Sequence, residues 1–99
     1  MRAVFSRLAE CDLEEIGDYI AADNLRRAVT FVRELRAHCA RIADAPLAWP
    51  ARPQLGPGIR SSLHGRYVVF FRASAEQILI VRILHGARDL PAQLEGIRD

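Results

Sequence analysis

Four of the chain's five prolines fall within residues 45–58, APLAWPARPQLGPG. Proline fixes φ and removes a backbone donor, so neither a helix interior nor a central strand runs through this stretch. The segment reads as a stiff irregular loop that divides the chain. Helical spacing of apolar residues dominates before it, and short apolar runs bounded by turn residues follow it. A chain punctuated in this way separates its helices from most of its strands, the pattern of an α+β fold.

In the first half, Ala9, Leu13, Ile16 and Ile20 recur at spacings of 4, 3 and 4, one stripe on a helix. Ser6 is placed to cap that helix, and residues 2–7, with Val4 and Phe5, read as a short strand before it. Asp23-Asn24 interrupts, and either residue caps a second helix. There Ala28, Phe31, Leu35, Cys39 and Ile42 form the stripe, with Val32 beside it. Two helices of similar length joined by a short turn predict an antiparallel hairpin. Residues 1–23 carry two arginines against six carboxylates, a net −4; residues 24–99 carry twelve arginines against six carboxylates, a net +6. The first helix is therefore acidic and the second basic, and their flanks attract.

After the proline segment, residues 59–63 read as a strand and His64-Gly65 as a tight turn, with Gly65 supplying positive φ. Residues 66–72 form a second strand around YVVFF, residues 74–77 turn again, and 78–85, ILIVRILH, form the longest strand. Two hairpins in succession make a meander. Residues 86–99 are polar, with one short helical turn expected near 90–94. Strict alternation places Ile78, Ile80, Arg82 and Leu84 on one face of the last strand and Leu79, Val81, Ile83 and His85 on the other. In the strand before it, Tyr67, Val69 and Phe71 oppose Val68 and Phe70. Both faces are apolar, as for a sheet covered on both sides. One helix hairpin covers one face fully, so a bound partner is expected over part of the remaining apolar surface. Trp49 is expected to plug the loop onto the core.

The 99 residues are 51% hydrophobic, enough for one domain with a real core and too apolar for disorder. Cys11 and Cys39 lack CxxC or metal-ligand spacing and read as small buried or half-buried residues in a reducing compartment. The N-terminus turns acidic where a signal peptide needs an apolar region, and no apolar run is long enough to span a bilayer. A cytoplasmic protein is expected. All fourteen basic residues are arginine, the side chain suited to fixed bidentate contacts with carboxylate or phosphate.

The chemistry-bearing residues gather in RILHGARDL, 82–90. Arg82, His85, Arg88 and Asp89 sit at and beyond the end of the last strand. A meander brings Arg60 and Arg66 near them, making a basic patch. Each residue also has a structural reading. Arg82 pairs its charge at a sheet margin, His85 bonds the local backbone, and Arg88-Asp89 is an ion-paired chain stop. His38 reads as a half-buried helix residue and His64 as a turn residue. No metal spacing links the three histidines, and there is no glycine-rich phosphate loop, serine-nucleophile signature or carboxylate pair. Neither a metal nor a cofactor is expected, and no residue is assigned a catalytic role.

Four segments taken together carry a family resemblance: DLEEIGDYIAADN (12–24), AVTFVRELRAHCARIADAP (28–46), GIRSSLHGRYVVFFR (58–72) and ILIVRILHGARDL (78–90). In this order, over nearly the whole chain, they resemble the ParE branch of the RelE/ParE toxins of bacterial toxin–antitoxin modules. The resemblance implies an α+β fold with an N-terminal strand, a helix hairpin on one sheet face and a three-stranded antiparallel meander. It implies a ParD-type antitoxin that wraps the toxin, with Leu13, Ile16, Ile20, Phe31, Leu35, Val68 and Phe70 as candidate contacts. It implies DNA gyrase as the target, DNA being met only through gyrase or antitoxin. Arg60, Arg66, Arg82, His85, Arg88 and Asp89 are then candidates for target binding and toxicity rather than catalysis. RelE-like relatives instead cut mRNA on the ribosome with basic residues and a C-terminal aromatic or histidine. Here Arg60, Arg82 and Arg88 occupy the phosphate-binding regions, but LPAQLEGIRD offers no such acid or base and lysine is missing throughout. A third possibility is a non-toxic subunit of a repressor complex.

Overall fold

The computed structural model describes residues 1–86. Its elements run β1 (Arg2–Phe5), α1 (Arg7–Ala21), α2 (Leu25–Asp44), 3-10 turns at Pro46–Ala48 and Pro53–Leu55, then β2 (Ile59–His64), β3 (Tyr67–Ala73) and β4 (Gln77–His85). The sheet order is β1-β4-β3-β2. The meander is antiparallel as expected, but β1 joins β4 in parallel, so the sheet is mixed. The helical turn expected near residues 90–94 lies outside the described residues.

Local chemistry sets the helix ends. The Ser6 hydroxyl accepts from the Ala9 amide at 3.0 Å, and the Asn24 side chain accepts from the Arg27 amide at 3.0 Å. Each satisfies one of the amides that a helix N-terminus leaves without an internal partner. α2 stops at Asp44, two residues before Pro46. Across the helix pair, Arg36 binds Glu10 through two hydrogen bonds, at 3.2 and 3.0 Å. That is the attraction the opposite charges of the two helices predict.

Both helices lie on one sheet face. Their buried residues Ala9, Leu13, Ile16, Leu35, Cys39 and Ile42 meet Val69, Phe71, Ile78, Ile80 and Ile83. Burying a Leu, Ile, Val or Phe in this way stabilises the fold by about 1.5–3 kcal/mol each. A second cluster on the opposite face joins Ile59, Val68, Phe70, Val81 and Leu84 to Leu55 from the proline-rich loop. Part of the cover expected from a partner thus comes from the chain itself. The same loop guards the sheet edge: the Arg52 amide donates to the Ile59 carbonyl at 2.7 Å, and the Ser61 amide to the Pro50 carbonyl at 3.1 Å. Trp49 packs against the helix-side core as expected, its ring 5.8 Å from that of His38.

Strict alternation fails in β4. Phe71 pairs with Ile80 but Phe70 pairs with Arg82, so one extra residue is inserted in β4. Ile78, Ile80 and Ile83 therefore share the helix face, while Leu79, Val81 and Leu84 face the second cluster. Residues beyond the bulge lie opposite to where uninterrupted alternation puts them.

Candidate partner-binding groove

β1 ends where Phe5 pairs with Ile80, and β4 runs on through residues 81–85 paired with β3 on one side and, among the described residues, with no strand on the side β1 has left. The start of α1 closes the first part of that edge. The Ser6 amide donates to the Ile80 carbonyl at 2.9 Å, and the Ser6 hydroxyl donates to the Val81 carbonyl at 2.8 Å. Six residues later Asp12, buried, accepts from the Ile83 amide at 2.9 Å. The same carboxylate accepts from Arg82 Nε at 2.8 Å and from Arg82 Nη2 at 2.9 Å. These hydrogen bonds to Asp12 raise the pKa of Arg82 above its usual value. The contact is a fork-to-fork pair at the bulge, in a site where water competes little.

Arg82, a candidate for target contact on sequence grounds, is therefore a structural residue that locks α1 to β4. The register sets Arg82 opposite Phe70, and its guanidinium reaches Asp12 of α1 past the strand edge that β1 has left. The partner Asp12 was missed, although a signal existed: in α1, residues 9, 12, 13 and 16 follow the i, i+3, i+4, i+7 spacing of a buried stripe. Asp12 is the charged residue in that stripe, as Arg82 is in β4.

Beyond the lock, a groove of about 350 Å³ opens between α1 and the end of the sheet. Glu15, Ile16 and Tyr19 form the α1 wall, with Asp12 at one end. Arg66 and Tyr67 come from the β2–β3 connection, and Ile83, Leu84 and His85 from β4. The Tyr67 and His85 rings pack edge to face, with centroids 5.4 Å apart. Tyr19 is exposed, Arg66 is exposed on its turn, and His85 is half-buried. The walls carry opposite charge, Glu15 facing a basic turn across an apolar floor. That arrangement suits a peptide with apolar side chains and mixed charge better than a small polar metabolite.

Two of the six candidate toxicity residues, Arg66 and His85, meet here. Arg60 does not: its Nη1 donates to the Trp49 carbonyl at 2.7 Å beside the proline-rich loop. Arg88 and Asp89 lie outside the described residues. Of the candidate antitoxin contacts, Leu13 and Leu35 are buried in the helix-side core, while Val68 and Phe70 belong to the second cluster and line a hollow of about 540 Å³ beside the proline-rich loop. The periodicity that marks an apolar face also marks the core, so spacing alone does not separate the two. Ile16 is mostly buried but lines the groove, while Ile20 and Phe31 are half-buried against the core. The large exposed apolar residues of the helices are instead Leu8, Tyr19, Leu25 and Val29. No helix among the described residues is long and apolar enough to cross a membrane.

The model of the family described as the ParE toxin of type II toxin-antitoxin systems, parDE, matches residues 3–90. Toxin ParE1 of Caulobacter vibrioides is 32% identical over 90 residues, covering 90% of this chain and 93% of that protein. Among solved structures, a chain of a chromosomal ParDE system from P. aeruginosa superposes with a TM-score of 0.73 at 24% identity, covering 86% of this chain and 95% of that one. A chain of the RelBE2 toxin-antitoxin complex from Mycobacterium tuberculosis gives 0.51 at 25% identity, covering 85% and 95%. With a family match across nearly all of the described fold and a close-length relative above 30% identity, the chain belongs to the ParE toxins of type II toxin-antitoxin systems.

Proposed function

We propose that this protein is a one-domain cytoplasmic toxin that inhibits DNA gyrase and is held silent by a ParD-type antitoxin. Family membership supports the toxin reading, and the groove between α1 and the end of β4 supports the antitoxin reading. An extended peptide laid along the last residues of β4, past the Asp12 bond to the Ile83 amide, adds a short strand there, main-chain bonds giving affinity and the flanking Tyr19, Glu15 and Arg66 giving selectivity. The toxin acts as a binding protein rather than an enzyme in this reading. Arg66 and His85 remain its candidate target contacts among the described residues, with Arg88 and Asp89 beyond them.

The ribonuclease alternative retains one supporting observation, since the groove joins Arg66, Tyr67, His85 and Glu15, groups capable of proton transfer and phosphate contact. Arg60 and Arg82 speak against it, because their guanidiniums are engaged by the Trp49 carbonyl and by Asp12. Expressing the chain alone, with gyrase supercoiling and translation assayed in parallel, separates the readings. Lost supercoiling with translation intact is the expected result. Codon-phased mRNA cuts with normal supercoiling select the ribonuclease. Normal growth with neither defect selects a non-toxic repressor subunit.

A further inference from the structure

Three histidines far apart in sequence lie along one chain of rings. Trp49 packs on His38, His38 on His64, His64 on Phe31, Phe31 on Tyr67, and Tyr67 on His85, with centroids 4.9–5.8 Å apart. The closest pair is His38 of α2 and His64 at the end of β2, at 4.9 Å. His38 is buried, and its Nε2 lies 2.7 Å from the Ser62 hydroxyl. That hydroxyl satisfies either protonation state of the ring, since it donates to a bare nitrogen and accepts from a protonated one.

We propose that His38 and His64 form an acid-sensitive clasp between α2 and the β2–β3 hairpin, firm while the buried His38 ring is neutral and loosened when it takes a proton. Among the described residues, the other elements around His38 contribute no compensating anion to its electrostatics. α2 contributes Arg41, β2 contributes His64 and Ser62, and the proline-rich loop contributes the uncharged Trp49, with Arg60 held at its carbonyl. Burial, then His64, then Arg41 each lower the pKa of His38 below 6.5. The sign follows: a histidine depressed in the folded state contributes stability that is complete above its unfolded value, about 6.5, and that is lost as pH falls toward its folded value. The hairpin that loosens carries Arg66 and Tyr67 into the groove.

The test is an NMR titration of the imidazole carbons in the full chain, with amide exchange across residues 63–67 and urea unfolding measured from pH 7.5 to 5. His38 is expected to titrate below 6.5. The folding constant is expected to fall by up to about tenfold per pH unit within that window, with hairpin amides exchanging faster than the solvent pH alone dictates. His64→Gln should raise the His38 midpoint toward 6.5, and His38→Gln, which keeps a partner for Ser62, should flatten the acid loss. A His38 midpoint at or above 6.5, or one unmoved by His64→Gln, overturns the clasp. Both of those readings stand even where His38→Gln does not fold.

Discussion

Single residues carry more of this fold than their number suggests, and Asp12 is the clearest case. It receives two donors of Arg82 and the Ile83 amide, so its removal leaves a guanidinium and a strand amide short of an acceptor where water is scarce. Breaking a buried pair by deleting one partner costs about 3–5 kcal/mol, a large share of the roughly 5–15 kcal/mol a domain has. Asp12→Ala should therefore lower the urea midpoint sharply, and adding Arg82→Ala should cost less than the sum of the two single changes. Fully additive losses would mean that the two side chains are not coupled. The cysteines divide as sharply. Burial pushes the Cys39 thiol up to about 12, whereas Cys11 is exposed on α1. Thiolate is the reactive form. One equivalent of a thiol reagent should react quickly with the native protein and the second only on unfolding, a difference that Cys11→Ser removes.

At the scale of elements, the sequence was legible where one period governs and illegible where two compete. Both helices, the proline break, the three later strands and the turn at Gly65 follow from spacing and turn chemistry. The bulge in β4 does not, because residues 78–85 are apolar on both faces and an inserted residue leaves no mark in a pattern without alternation. The misassigned faces of Arg82, Ile83 and Leu84 follow from that. Likewise, the loop's pairing with β2 at Ala51 and Arg60 is invisible in a stretch whose prolines announce only what cannot form. The β2–β3 turn is the opposite case. The turn residues are Gly65 and Arg66, one place later than the His64-Gly65 turn expected, since His64 still pairs with Tyr67; Gly65 has φ +59°, and all residues with positive φ are glycines among those described, so only the first of the two is left-handed. This is the pattern of a tight II′ hairpin, matched to strand twist. A β-carbon at Gly65 meets nothing within 4 Å, so the cost of substitution is backbone strain alone. Gly65→Ala should lose about 1–2 kcal/mol by urea unfolding, and Gly65→Asn less, since asparagine tolerates that region better. Equal losses for the two would point to a contact rather than to φ.

For the whole molecule, the decisive property is how its surfaces are divided. The helix-side core encloses Leu13 and Leu35, while Val68 and Phe70 of the second cluster border a hollow beside the proline-rich loop. The groove at α1 is lined by accessible residues, Tyr19 above all, at 78% relative exposure. Such a residue contributes little to folding, and substitutions at exposed positions usually shift stability within about 0.5 kcal/mol. A partner that binds only the folded form adds stability in proportion to the logarithm of its saturation, about 2.7 kcal/mol at a hundredfold excess over Kd. The two contributions are separable by substitution. Tyr19→Ala and Arg66→Glu should leave the melting temperature of the free chain nearly unchanged and should reduce the rise in melting temperature that the cognate antitoxin produces. Asp12→Ala should do the reverse, lowering the free chain's melting temperature first. If the groove variants keep the full antitoxin-induced rise, the antitoxin sits elsewhere. The exposed Leu25 and Val29 of α2, four residues apart on one helix face, are then the surface to alter next.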